Sequence, residues 1–153
     1  MKIALLSPAG AMHRHSGSFG LSLHYAPMTL TTLAALVPPE LNAEVVIHDE
    51  TAGPIPLDLD ADVIAMTAIT GTSSRVYRYA DYFRALGRTV ILGGVHPTML
   101  PDEAAQHADA VITGFAEQSF PQALRDHAAG QLKPRYFQLA DFSIAGRPVP
   151  LRN

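Results

Sequence analysis

Short runs of consecutive apolar residues, too continuous to leave one face in water, recur along this chain and leave it few architectures. Ile3–Ser7 is such a run, stopped by Pro8 and Gly10. Glu44–His48, Asp62–Thr67, Thr89–Leu92 and Ala110–Thr113 are the others. A strand with one wet face alternates polar and apolar residues, whereas a continuous run suits a strand covered on both faces. Helical periodicity fills the intervals. Met28–Val37 carries Leu30, Leu33, Ala34 and Val37 at helical spacing, opened by Pro27 and stopped by Pro38-Pro39. Ser73–Leu86 puts Val76, Tyr79, Ala80, Phe83 and Leu86 on one stripe, and Gly87 closes it. Pro101–His107 and Ser119–His127 read as two more helices. This alternation predicts the α/β class: a Rossmann-like or flavodoxin-like open parallel sheet of five strands with helices on both faces.

Length and charge narrow the function. The 153 residues suit one domain, and 48% hydrophobic against 16% charged residues argues against disorder. We read 1–130 as that domain. In 131–153, Lys133-Pro134, Gly146-Arg147-Pro148 and Pro150 interrupt short apolar pieces, the pattern of a linker or an added edge strand. A net charge of −3 gives no basic footprint for nucleic acid. The chain has no cysteine, so it carries no disulfide, zinc thiolate site or iron–sulfur cluster of its own. No stretch reaches the roughly 18 apolar residues of a membrane span, and the start is too short for a secretory signal. A cytoplasmic protein without a membrane partner is expected.

In an open parallel sheet, ligands bind beyond the carboxyl ends of the strands, where strand order reverses. The loops after Ser7, Thr67, Leu92 and Thr113 are therefore the ones to read. Gly93-Gly94-Val95-His96-Pro97-Thr98 follows the fourth strand. One glycine would satisfy a tight strand-to-helix turn. Two of them, followed by His and Pro, point to a flat ligand approaching backbone with no Cβ in the way. The pair lacks the third glycine of a dinucleotide fingerprint, and no Gly-Lys-Ser/Thr marks a phosphate loop. Thr67-Ala68-Ile69-Thr70-Gly71-Thr72-Ser73-Ser74 is mostly small, with five hydroxyls. Ser73 or Ser74 could cap the next helix; a cap needs one hydroxyl, and the surplus suits ligand amides, a ribose or a phosphate. After Gly114, Glu117 either bonds a ribose hydroxyl or favours the dipole of its helix. His13, His15 and His24 share the first loop and read as solvated residues rather than metal ligands, while His48, His107 and His127 read as surface. No nucleophile elbow or calcium loop is present.

A strand-end hydroxyl with an apolar residue two places on, Thr67-x-Ile69, and Gly93-Gly94 after the next strand resemble the cobalamin-binding Rossmann-like domain. The closer resemblance is to the N-terminal domain of cobalamin-dependent radical S-adenosylmethionine enzymes. It runs from about Lys2 to Leu124 through Ala26-Pro27-Met28-Thr29-Leu30, Val45–Asp49, Ala61–Thr67, Val90–Thr98, Pro101–Ala104, Ala108–Val111 and Gly114-x-x-Glu117-x-x-Phe120. The resemblance implies a corrinoid across the strand ends, its nucleotide tail beside the sheet near the first and third strands. It implies cofactor contacts from Ser7, Pro8, Thr67, Ala68, Ile69, Thr70, Gly71, Thr72, Gly93, Gly94, Val95, His96, Pro97, Gly114 and Glu117.

Relatives that bind cobalt through histidine carry Asp-x-His-x-x-Gly after the first strand. Here Pro8-Ala9-Gly10-Ala11-Met12-His13-Arg14-His15-Ser16-Gly17 stands instead. The resemblance therefore implies a histidine-off corrinoid, with Ile69 or Thr70 near the lower cobalt face as a non-coordinating neighbour and no metal ligand from the chain. Two departures stand out. Phe115 occupies a position that is often acidic in the family. The Cys-x-x-x-Cys-x-x-Cys of the radical barrel does not occur, so S-adenosylmethionine and a 4Fe-4S cluster would belong to a radical domain acting in cis or in trans, and no catalytic residue is assigned here. The reaction served would be a methyl transfer or a tetrapyrrole-type ring closure. The competing expectations are a flavodoxin-like or receiver-like binding or regulatory domain without corrinoid, and an independent hydrolase or transferase.

Overall fold

The computed structural model describes residues 1–10, 28–140, 145–146 and 148–150. The first-loop histidines His13, His15 and His24 and the helix-opening Pro27 lie outside the described residues, as does much of the tail beyond Ala140. Strand β1 (Lys2–Ser7) leads to helix α1 (Met28–Ala35) and β2 (Glu44–Asp49). Then come β3 (Val63–Thr67), a 3-10 turn at Thr70–Thr72, α2 (Ser73–Ala85) and β4 (Thr89–Gly93). Helices α3 (Val95–Met99) and α4 (Pro101–Ala104), β5 (Ala110–Gly114), α5 (Ser119–Ala128) and β6 (Arg135–Gln138) complete the order.

The sheet has six strands in the order β2-β1-β3-β4-β5-β6, every neighbouring pair parallel. That corrects the expected five. Tyr136 and Gln138 of β6 point inward while Arg135 and Phe137 stay exposed. A half-wet strand of four residues after Pro134 lacks the continuous apolar run that marked the others. The order reverses beside β1, which pairs with both β2 and β3.

The two-residue period of the strands sorts the core into two layers. Ala4, Leu6, Ile64, Met66, Val90, Leu92 and Val111 face α2 and α4, packing on Val76, Tyr77, Ala80, Phe83 and Ala104. Ile3, Leu5, Val63, Ala65, Ile91, Ala110 and Ile112 face the opposite way, onto Leu30 and Ala34 of α1 and Phe120, Ala123 and Leu124 of α5. Burial on both faces meets what the continuous runs of β1, β3, β4 and β5 required, whereas β2, at the sheet edge, keeps Val46 and Ile47 exposed. The stripe on α2 differs from the sequence expectation at one place. Leu86 is exposed because the helix ends at Ala85, and Tyr77 is buried instead, its ring stacked on His107 at 4.2 Å. His107, expected at the surface, is thereby partly covered and bonds Asp81 at 2.9 Å. The helix expected over Pro101–His107 ends early, at Ala104, and a separate short helix, α3, precedes it. Leu100, at φ −128° and ψ 63°, breaks the chain between α3 and α4.

Candidate functional site

Because side chains alternate across the sheet, Thr67, Gly93 and Gly114 end β3, β4 and β5 on the face that carries α1 and α5. All three are small. The space their side chains leave is a cleft of about 390 Å³, floored by Ala65, Ile91 and Ile112 and walled by Thr32 and Leu33 of α1 and Phe115 and Phe120 around α5. Glu117 reaches the same cleft from the loop before α5. It adjoins the third to fifth strands, whereas the sequence resemblance put a nucleotide tail near the first and third. Among the described residues, no histidine lines it.

The two consecutive glycines do different work. A Cβ on Gly93 would point over the cleft side of β4, meeting nothing closer than Ile112 at 3.7 Å. Gly94 sits at φ 104° and ψ −172°, a backbone region essentially reserved for glycine. A Cβ there would lie 2.7 Å from the Ala68 carbonyl and 2.8 Å from the Thr67 hydroxyl. Gly94 therefore lets two loops touch, and Gly93 leaves the cleft open. Gly114 is a third case: at φ 76°, its Cβ would lie 2.2 Å from the Gln138 carbonyl, so β6 can close against β5 only over a glycine.

Hydrogen bonds stitch the strand-end loops together. Ala68 N–H donates to the Gly93 carbonyl at 2.9 Å, and His96 N–H donates to the Ala68 carbonyl at 3.0 Å. Thr98 Oγ1 donates to the Gly94 carbonyl at 2.8 Å and accepts from Gly114 N–H at 3.0 Å. Thr72, buried, accepts from Ile69 N–H and donates to the Ile69 carbonyl. This holds Ile69 outward, 46% exposed, on a 3-10 turn that also leaves Thr70 and Gly71 exposed. Ser73 was a candidate helix cap. Its Oγ instead donates back to the Thr70 carbonyl, and the N-cap residue Thr72 makes no side-chain cap bond.

Of the remaining expected residues, Val95 is exposed beside this rim while Pro97 is buried beneath it. His96 is only 3% exposed, and its ring does not line the cleft. Nδ1 lies 3.2 Å from Thr70 Oγ1 and Nε2 lies 3.2 Å from Glu103 Oε1. Ser7 and Pro8 lie on the other side of the strand ends. There the Ser7 carbonyl accepts from Glu50 N–H and Ala9 N–H donates to the Glu50 carboxylate at 2.8 Å. Glu50 is also paired with Arg75 and accepts from the Tyr79 hydroxyl. The Arg75 guanidinium, opposed by burial and aided by Ala9 and Tyr79, holds its carboxyl at about 2. This knot fixes the β1 loop against α2.

Thr98 ends the loop that the sequence singled out after β4, whereas the α1 wall and Gln138 lay outside the expected site. Gln138 Oε1 accepts from the N–H groups of Gln118 at 2.7 Å and Ser119 at 3.2 Å, capping α5 from a different strand. Only the apolar stripe of α1 gave any signal, and it read as ordinary core.

Residues 42–124 match the B12 binding domain family. The chain belongs to that family. Bacteriochlorophyllide d C-8(2)-methyltransferase of Chlorobaculum tepidum is 40% identical to it over 112 residues, covering 71% of this chain and 24% of the relative. Bacteriochlorophyllide d C-12(1)-methyltransferase of the same organism is 38% identical over 91 residues, covering 59% and 20%. This B12-binding domain thus spans about a quarter or less of the curated relatives it matches. The N-terminal domain of a hypothetical protein from Thermotoga maritima shares the fold, with a TM-score of 0.50 at 20% identity, covering 69% of this chain and 88% of that one. Cobalamin is the ligand the family implies, and the site suits a flat group: small residues end three strands, and a cleft remains that a Cβ on Gly93 would begin to fill. No described helix is long and apolar enough to cross a membrane, and no cluster of three metal-ligating side chains occurs among the described residues.

Proposed function

We propose that this B12-binding domain holds cobalamin with its lower cobalt face free of protein histidine, as one module of a methyltransferase-type radical S-adenosylmethionine system. The observation that carries the reading is the cleft beside Gly93, in a chain whose residues 42–124 match the B12 family. In this reading the corrin ring lies over the strand ends, resting on Ile69, Thr70 and Val95, with Ser7 and Pro8 at its β1 margin. Thr67, Gly93, Gly94, Gly114 and Glu117 border the cleft that receives the nucleotide tail. Ala68, Thr72, His96 and Pro97 support these contacts from behind, and Gly71 lies exposed beside Thr70. The bound cobalamin supplies a cobalt centre able to carry a methyl group.

The chain's own residues bind, orient and shield. Apolar walls exclude water from the tail, and the stitched loops fix the surface on which the ring rests. Two features support a histidine-free lower face: His96 is turned into the helical layer, and the sequence lacks Asp-x-His-x-x-Gly. S-adenosylmethionine and a 4Fe-4S cluster belong, in this reading, to a radical domain in cis or in trans, with 1–130 as the binding module and 131–153 as an extension that adds edge strand β6 to it. The names of the two Chlorobaculum relatives favour methylation of a tetrapyrrole as the reaction served. Gel filtration of the purified chain mixed with hydroxocobalamin tests this. A red chromophore co-eluting with protein is expected, and an absorbance spectrum showing no retained corrinoid overturns the proposal.

A further inference from the structure

The Glu103–His96–Thr70 chain is the part of the site that the binding role leaves unexplained. His96 is buried, yet it does not line the cleft. It joins the half-exposed Glu103 carboxylate on α4 to the hydroxyl of Thr70, an exposed residue on the loop after β3. Its main chain is fixed as well, since His96 N–H donates to the Ala68 carbonyl and Gly94 packs against Thr67 and Ala68. The ring therefore has little freedom to turn. Tyr77 packs beside it with ring centres 5.9 Å apart.

The donor and acceptor inventory sets the direction of these bonds. His96 first, and Tyr77 second, hold the Glu103 carboxyl below the usual carboxylate range, so at neutral pH it is ionised and can only accept. Nε2 must then carry the proton. In a neutral ring Nδ1 is left with a bare lone pair, and the Thr70 hydroxyl, 3.2 Å away, is the donor that meets it. We infer that His96 is a positioning residue, locked as the Nε2–H tautomer, which draws the Thr70 hydroxyl hydrogen inward and presents Thr70 Oγ1 to the strand-end opening as a hydrogen-bond acceptor. A ligand there is recognised through an N–H or O–H donor. With the corrinoid of the proposed function, on which this second half rests, that donor is a carboxamide N–H of the ring margin or a water on the lower cobalt face. His96 thus acts on the cofactor through Thr70 and not by contact.

Nitrogen-15 NMR of the histidine rings in the corrinoid-free chain tests the first half directly. His96 is expected to show a protonated Nε2 and an unprotonated Nδ1 at neutral pH, and an Nδ1–H tautomer or a doubly protonated ring overturns the inference. Because this measurement needs no corrinoid, it stands even where hydroxocobalamin fails to bind, so the two proposals fail separately.

The second half is read from the absorbance and electron paramagnetic resonance spectra of bound cob(II)alamin. Thr70→Val and His96→Leu are expected to shift the spectra alike, with the double variant no further shifted than either. Thr70→Ser and His96→Gln, which keep the acceptor and the two-ended bond, should restore the wild-type spectra. Spectra unchanged by Thr70→Val, or additive shifts, overturn it. A spectral change on Thr70→Val that persists with every one of a set of cobalamin analogues, each lacking a different side-chain amide, places the donor on the lower-face water. Loss of the change with one analogue places it on the amide that analogue lacks.

Discussion

Substituting alanine at each of two adjacent glycines should give opposite results, and the reason lies in a few interatomic distances. Gly94→Ala forces a side chain into the φ 104°, ψ −172° region, which costs about 1–3 kcal/mol in strain alone. The new Cβ would also meet the Ala68 carbonyl at 2.7 Å and the Ala68 nitrogen at 3.0 Å. Both are backbone atoms already bonded across the loops, so neither can yield without breaking a hydrogen bond. Overpacking of this kind adds about 1–3 kcal/mol. A loss of about 4 kcal/mol is expected, against a total stability on the order of 5–15 kcal/mol for a domain of this kind. At roughly 2–4 °C per kcal/mol, the melting temperature should fall by about 8–16 °C.

Gly93→Ala differs in every respect. Its Cβ meets Ile112 at an ordinary 3.7 Å, its φ lies outside the left-handed region, and alanine restricts the unfolded chain. Stability should stay within about 1 kcal/mol of wild type. The larger Gly93→Val should project branches into the cleft and weaken retention of hydroxocobalamin while the protein stays folded. Urea denaturation followed by circular dichroism, with gel filtration of the corrinoid mixture, reads both effects. Equal destabilisation by the two alanine substitutions, or a neutral Gly94→Ala, refutes the division of labour between them.

The Glu50 knot predicts an acid transition. Its carboxyl is lowered to about 2 in the folded protein against an ordinary 4.5, so its stabilisation is complete above 4.5 and is lost as pH falls toward 2. With the Arg75 side chain one-third exposed and screened, the contribution is about 2 kcal/mol, and urea midpoints between pH 5 and 2 should fall less steeply in Glu50→Gln than in wild type. Gln138→Ala removes the acceptor for two helix-end amides. It should cost about 1–2 kcal/mol and speed hydrogen exchange at Gln118 and Ser119, and unchanged exchange there would show that α5 does not depend on β6.

The linear order of the chain carried most of the architecture. Continuous apolar runs required strands covered on both faces, and the helical stripes between them required a parallel α/β sheet, because no other arrangement buries both patterns. The same order picked out the loops after β1, β3, β4 and β5 as the candidate site; the ends of β3, β4 and β5 border the cleft, while Ser7 and Pro8 do not line it. For 131–153 the sequence left a linker and an added edge strand open, because alternation over four residues resembles an irregular tail until β5 offers its edge. Leu86 falls just past the end of α2, and Tyr77 is buried against His107, a neighbour that helical spacing alone does not reveal.

Within the loops the sequence specified residue types, and tertiary contacts assigned their work. Gly93-Gly94 reads as one ligand-facing motif. Only the approach of the β3 loop, 2.7 Å from where a Cβ on Gly94 would stand, separates a structural glycine from a cleft-facing one. His96 reads as a loop histidine beside a ligand, yet Thr70 and Glu103 hold its ring inside the protein. The cleft itself exists because three small strand ends, distant in sequence, align on one face between α1 and α5. Periodicity is local and survives in the linear chain, whereas the direction in which a particular side chain points depends on which distant backbone arrives beside it.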